Sequence, residues 1–407
     1  MIRNLKLNEM RLKTWQHLNV NEVNIEEEYI TEKEIIDLIK ENRCKYTNIK
    51  KIYTNNESNI SFKTINTLKD IELNNINKEY NLISLNDLKT TNKQNTDISD
   101  YSYIYNKYTY ELNGIINKTI KIDEIDIKNK EKNTITNYNN NNIYIKEYLN
   151  IIANENSNSY LVLDLNKNNY KNTNINNNKS KIEDINIQID LKDNSKVDMV
   201  IIFPYDKIKG FSLENLHING GKKSDIHISC IFMGRKKEYF KITSLLNEET
   251  NVNIDGIYLT YADNTLDMYF DTNHIGKNGK SYININGVMI DDSRKNWKGI
   301  ITFHNGCSGS EGEENENLLM LSENAKSKTL PILLCREIDV KGNHGSSSGN
   351  MDNQKIFYLM SRGHSKENAR KIIIMSRFNP IIDRITNNEI KENVISIIEE
   401  EINKTNN

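Results

Sequence analysis

Cysteine is scarce and widely spread: Cys44, Cys230, Cys307 and Cys335 are the four in 407 residues, and no two form a CxxC pair. That excludes the usual zinc-ribbon and thioredoxin spacings and points to a reduced, cytoplasmic compartment. No apolar run approaches the ~20 residues that a membrane span needs. The opening MIRNLKLNEMRLKTW has no apolar core, so no secretory signal is expected. Charge of one sign is missing as well. The formal net charge is -2, which excludes a protein that binds nucleic acid through bulk positive charge. Prolines number 3 and histidines 7, while asparagine, lysine and isoleucine are heavily used. That excess reads as compositional drift of the source and not as function. The length allows two or three domains.

The periodicity divides the chain into three parts. In the first, 1–145, Thr31-Glu32-Lys33-Glu34 forms a capping box. Ile35, Ile36, Leu38 and Ile39 follow as an apolar stripe, which predicts a helix near 31–43 in an otherwise mixed region. Two polar stretches, 137–142 and 166–181, cannot bury apolar area and read as loops. In the second part, 146–350, the period is two. Leu161, Leu163 and Leu165 alternate with other residues, as do Ile185, Ile187 and Ile189, and Ile226, Ile228 and Cys230. Further along, Ile257, Leu259 and Tyr261 alternate, then Leu266, Met268 and Phe270, then Ile283 and Ile285. This predicts short strands with one buried and one wet face. No strong helices separate them, so a βαβ sheet is excluded. A sandwich, a barrel or a β-solenoid remains, and no strict repeat length is visible. In the third part, 351–407, the period is helical. Ile356, Phe357, Leu359 and Met360 share a face stopped by Gly363. Ser365 caps a second helix with Glu367 in its first turn, Pro380 breaks it, and Ile390, Val394, Ile397, Ile398 and Ile402 form a last stripe.

Several constellations reduce to ordinary structure. Gly279-Lys280-Ser281 ends like a phosphate-binding loop, but the position of its first glycine holds His274 and a strand follows, so it reads as a β-turn. Asp291-Asp292 reads as a solvated turn. Ser346, Ser347 and Ser348 lack a nucleophile elbow and read as turn serines. Cys335 shares a strand face with Leu333 and is expected to be buried, whereas Cys307, in a glycine-rich turn, is expected to be more exposed and freer to react. His344, in GNHGSSSGNMD, is either an iron ligand or a structural histidine at a β-to-helix junction, and spacing alone leaves both open.

Taken together, Pro331-Ile332-Leu333-Leu334-Cys335, Asp339 to Gly349, Asp352, and Ile356-Phe357-Tyr358-Leu359-Met360-Ser361-Arg362-Gly363 resemble the SufB/SufD family of the SUF iron–sulfur cluster assembly system. Glu367, Ala369 and Arg370 extend the likeness forward. Leu318 to Ser322 and His274-Ile275-Gly276 extend it backward, so that residues 250–385 carry it best. Lys13-Thr14-Trp15 with Leu18 and Asn21 looks like the opening of the SufD branch.

The resemblance implies a mainly β fold: a right-handed parallel β-helix core with a mixed N-terminal region and a helical C-terminal domain. It implies a non-catalytic scaffold subunit, not an enzyme. The SufC ATPase would dock on the helical domain, and Phe357, Tyr358, Arg362, Gly363 and Arg370 are the expected partner-binding residues. A SufB-type subunit, or a second copy of this chain, would pair through the β-helix. A cysteine desulfurase would supply sulfur indirectly, and a nascent iron–sulfur cluster or iron would rest there only transiently, with nothing permanently bound. His344 is then the candidate iron or cluster ligand. Cys335 and Cys307 are weaker candidates that match no family ligand position. Gly345 follows His344 where the SufB pattern has glutamate, and the position of a SufB cysteine falls near Glu316, so the resemblance is to the SufD side. The alternatives are a SufB-like or homodimeric scaffold and, more distantly, a β-helix enzyme acting on polysaccharide, for which no carboxylate pair is found.

Overall fold

The computed structural model describes residues 2–11, 19–28, 45–46, 60–61, 101–112, 114–121, 142–165, 180–205 and 209–404. The helix expected near 31–43, the Lys13-Thr14-Trp15 and Leu18 positions, Cys44 and most of the two polar stretches lie outside the described residues.

Strands β1 (Ile2–Leu7) and β2 (Val23–Glu28) pair antiparallel. The others build two long sheets. One holds β3 (Lys45–Tyr46), β5 (Tyr101–Leu112), β7 (Asn142–Ala153), β9 (Ser180–Leu191), β11 (Lys209–Gly220), β13 (Lys237–Leu246), β15 (Thr265–His274), β17 (Arg294–Phe303) and β19 (Lys326–Cys335), with β4 (Ile60–Ser61) antiparallel to β5. The other holds β6 (Ile115–Lys121), β8 (Asn158–Asp164), β10 (Lys196–Ile202), β12 (Asp225–Phe232), β14 (Asn251–Thr260), β16 (Lys280–Met289), β18 (Ser310–Met320) and β20 (Val340–Asn350). From β5 onward consecutive strands alternate between the sheets, and each strand from β5 to β18 pairs in parallel with the strand two places on in the chain. That is a parallel β-helix, and of the three architectures the alternation left open it is the solenoid.

The coils are in register although their lengths differ. Asn156, Asn194, Lys223, Glu249 and Asn278 each take a left-handed conformation, with φ of 55–57°, two residues ahead of an even-numbered strand. The intervals between them are 38, 29, 26 and 29 residues, so no fixed repeat is visible in the sequence. The GKS segment lies at one of these corners and enters β16, as its turn reading required. Asp291 and Asp292 are exposed at the opposite corner, where Asp291 accepts the Ala262 amide.

Inward-facing side chains fill the coils with Leu161, Met199, Ile228, Ile254, Met268 and Ile285. An aromatic file runs along the axis: Phe203 stacks on Phe232 at 4.5 Å, Phe240 meets Phe270 at 5.8 Å, and Phe270 meets Trp297 at 6.0 Å. Gly287 admits the buried Tyr258 ring, which would overlap a Cβ placed there. Gly287→Ala should therefore cost about 1–3 kcal/mol by overpacking. An unfolding midpoint equal to that of the parent would mean that the ring moves aside freely.

The outer faces are not uniformly wet. Ile257, Leu259 and Tyr261 point away from the solenoid interior, against the helical tail. Three helices are described after the last strand: α1 (Asn353–Ser361), α2 (Lys366–Ile382) and α3 (Asn388–Lys404). Ser365 caps α2 by accepting the Asn368 amide, and Pro380 is accommodated within its last turn. Ile374, Phe378, Ile390, Val394, Ile398 and Ile402 cover Val200, Ile231, Ile257 and Val288. Between α2 and α3, Arg384 reaches four successive strands of one sheet. Its guanidinium meets Asp198 on β10, His227 and Ser229 on β12, and Asp255 on β14, and its carbonyl accepts the Tyr160 hydroxyl from β8. On the opposite sheet, Met10 and Val20 pack on Tyr269, Ile300 and Leu330. No described helix is long and apolar enough to cross a membrane.

Candidate functional site

β19 and β20 are the terminal members of their sheets, so among the described residues the β-helix ends in an open mouth with two strand edges free. The stretch GNHGSSSGN, read from its glycines and serines as a turn, is the last strand itself. Parallel pairing with β18 holds it extended and overrides its weak strand propensity. Phase then fixes the faces. Gly312, Glu314, Glu316 and Leu318 are buried inward on β18, and their register partners are Gly342, His344, Ser346 and Ser348. A Cβ on Gly342 would touch Leu333 and Phe303, which confirms the inward phase. Thr329, Pro331, Leu333 and Cys335 of β19 likewise continue the inward positions of Trp297, Gly299, Ile301 and Phe303. His344 is exposed on this last coil, above which no described strand stacks.

The two cysteines exchange their expected roles. Cys335 is exposed, since no described strand follows β19 in the sheet to bury its inward face. Cys307 is buried against Ile301 and Phe303 at the preceding corner, and burial pushes its thiol above the usual cysteine range. His274 is also interior. It stacks on Phe303 at 4.7 Å and meets Ser281 Oγ at 2.8 Å, and burial lowers its pKa to about 4.

One coil below the mouth lies a charged layer that sequence reasoning did not single out. Lys295 Nζ and Glu316 Oε1 are 2.5 Å apart, both buried. Tyr258 Oη donates to Glu316 at 2.9 Å, Lys295 donates to Thr329 Oγ1 at 2.9 Å, and Thr329 donates to Glu316 at 2.6 Å. Burial lowers the Lys295 pKa, and Glu316 offsets part of that. Glu314 is 0% exposed; among the described residues it accepts the Ile332 amide at 3.2 Å on one oxygen and has no partner for the other. Burial raises its pKa from 4.5 to about 8. Period two did carry the signal: Glu314 and Glu316 stand in phase with Leu318, and Lys295 with Trp297. Among the described residues no three His, Cys, Asp or Glu side chains are arranged to hold a metal.

The expected partner-binding residues sit on and just after α1, with only Ile356 of that helix buried. Phe357 is 74% exposed and Met360 44%, so these two do not share a buried face with Ile356, and Tyr358 is 56% exposed beside them. The Arg362 guanidinium lies 5.4 Å from the Tyr358 ring centroid, and Gly363 ends the helix with φ +95°. Arg370 is half-buried on α2.

The family described as "SUF system FeS cluster assembly, SufBD core domain" matches residues 134–377. The iron–sulfur cluster assembly protein SufD of Bacillus subtilis is 36% identical over 129 residues, covering 32% of this chain and 30% of that protein. A SufBD family protein of Mycobacterium leprae is 27% identical over 158 residues, 37% of this chain and 40% of that protein. SufD of Escherichia coli is 26% identical over 164 residues, 38% and 39% of the two chains. Each of these alignments spans less than half of the relative's length. With 134–377 matched and a parallel β-helix leading into a helical tail, the chain belongs to the SufB/SufD family of the SUF iron–sulfur cluster assembly system, on its SufD-like side.

Proposed function

We propose that this chain is a SufD-like, non-catalytic scaffold subunit that works in the cytoplasm. The observation that carries the reading is the open mouth: two strand edges that no further described strand pairs with, and an exposed inward-facing histidine on the last coil of the solenoid. Free edges of this kind are usually covered or blunted, and a SufB-type subunit or a second copy of this chain would cover them. His344 is the ligand offered there to iron or to a nascent cluster, which is cargo. Cys335 stands on the same rim as a weaker donor, and Cys307 lies behind it. Glu316, near the position of a SufB cysteine, is locked to Lys295, which favours the SufD side over an independent sulfur acceptor.

Residues 351–407 form the docking domain for a SufC-type ATPase, through Phe357 and Tyr358 on α1, Arg362 and Gly363 just after it, and Arg370 on α2. A cysteine desulfurase supplies sulfur through the partner subunit. The division into an N-terminal region (1–145), a core (146–350) and this tail follows the same reading. Deleting the whole tail would bare the apolar outer face at Ile231, Ile257 and Val288, so a point variant is the cleaner test. Co-expression with the cognate ATPase and anaerobic pull-down should retain it on the parent chain. Phe357→Glu should weaken retention roughly thirty-fold, the loss of one hot spot of about 2 kcal/mol. In the same system His344→Ala should leave the complex intact and lower cluster yield. Full retention by Phe357→Glu would move the docking surface elsewhere, and normal cluster yield from His344→Ala would make the histidine structural.

A further inference from the structure

We propose that Glu314 is a second donor, behind His344, for a divalent iron-type cation, so that this chain contributes a nitrogen–oxygen pair to a site completed by water or by the subunit across the mouth. The proposal rests on the reading of His344 as a ligand and adds to it a residue from a different strand.

Three observations converge. His344 and Glu314 are register partners on adjacent parallel strands, both in the inward phase, with backbones about 4.8 Å apart. Glu314 is buried, with one oxygen held by the Ile332 amide and the other without a partner. Across the interior that free oxygen lies against Gly299, where any Cβ would collide with it, so the absence of a side chain there is what admits the carboxylate. The contrast with its neighbours is chemical. Glu316 is matched by Lys295 and the buried Asp267 by Lys298 at 2.9 Å, whereas no described cation stands beside Glu314. A buried carboxylate needs a compensating charge, and a bound cation would supply it. Pro331 above it is half-buried, and His344 and Ser346 are exposed, so only this last coil separates the buried carboxyl from the mouth. An imidazole nitrogen with a carboxylate oxygen suits ferrous iron, and Co²⁺ takes similar sites with visible absorption bands.

The test is anaerobic Co²⁺ and Fe²⁺ binding to the purified full-length chain, by equilibrium dialysis and by the Co²⁺ absorption spectrum. Glu314→Gln keeps an acceptor for the Ile332 amide and removes the free anionic oxygen. Glu314→Asp keeps the charge and shortens its reach. Glu313→Gln, altering the outward-facing neighbour, serves as control. The expected result is one Co²⁺ per parent chain, unchanged in Glu313→Gln, weakened about tenfold or more in Glu314→Gln and Glu314→Asp, and lost in His344→Ala. A thermal melt shows that each variant is folded, and the rise in Tm that Co²⁺ gives the parent should shrink in both Glu314 variants. Parent-like Co²⁺ affinity in folded Glu314→Gln and Glu314→Asp overturns the proposal, and so does a parent chain that takes up no Co²⁺. In either case the His344 reading still stands or falls on the cluster yield of His344→Ala.

Discussion

Lys295→Met should destabilise the protein by about 3–5 kcal/mol, because it strands Glu316 as an uncompensated charge in the interior. Lys295 and Glu316 are both buried, and the donors left to the carboxylate, Tyr258 and Thr329, are neutral hydroxyls. Met keeps the unbranched stem that lies among the interior side chains, so the loss reports the charge and not a cavity. The double variant Lys295→Met with Glu316→Leu should recover most of the loss, since replacing both partners removes the stranded charge. Urea unfolding of the parent, each single variant and the double closes the cycle. A double variant no more stable than Lys295→Met alone would show that the layer is held by packing and not by the pair.

The second large effect is a pH dependence. Glu314 has a native pKa of about 8 against an ordinary 4.5, raised by burial. The native state therefore holds a proton that the unfolded chain releases above pH 4.5. The stability this group confers is complete below that value and is lost progressively as pH rises to about 8. Glu314→Gln mimics the protonated form at every pH. Parent and variant should be about equally stable near pH 4.5, and the gap should then widen in favour of glutamine by about 1 kcal/mol per pH unit. It should level off above pH 8 at about 3–5 kcal/mol. Other carboxylates cancel in the difference between the two urea-unfolding profiles. A gap that does not change with pH would mean that Glu314 is ionised in the folded protein. Metal-free buffers are required, because a cation at this carboxyl would flatten the same profile.

Much of the architecture was legible because strand phase is a local property. Leu161, Leu163 and Leu165 announce an inward face, and the structure places all three in the core. Ile257, Leu259 and Tyr261 show the same alternation, yet they face outward under the helical tail. Period two says that one face is apolar and not which body buries it. The solenoid was hidden for a geometric reason. The corner residues need only a left-handed backbone, and Asn194, Lys223 and Glu249 meet that need with different side chains at uneven intervals.

The site was read in part. His344 was singled out by its setting, but the glycines and serines around it suggested a turn, and only pairing with β18 shows the stretch to be an edge strand. The cysteines were misjudged because burial at a solenoid terminus depends on whether another coil follows, which no local pattern encodes. Lys295, Glu314 and Glu316 were passed over because charged residues in strands normally face water. Their phase relative to Trp297 and Leu318 would have placed them inside.

Arg384 gives the helical tail a particular mechanical character. It is anchored on β10, β12 and β14, and its backbone is held by Tyr160 of β8. A partner tugging on α2 and α3 along the strand direction would load these rungs together, in shear, instead of peeling them one at a time. Work done on the tail would thus reach several rungs of the stack as one displacement, and the stack in turn would resist being unzipped from its helical side.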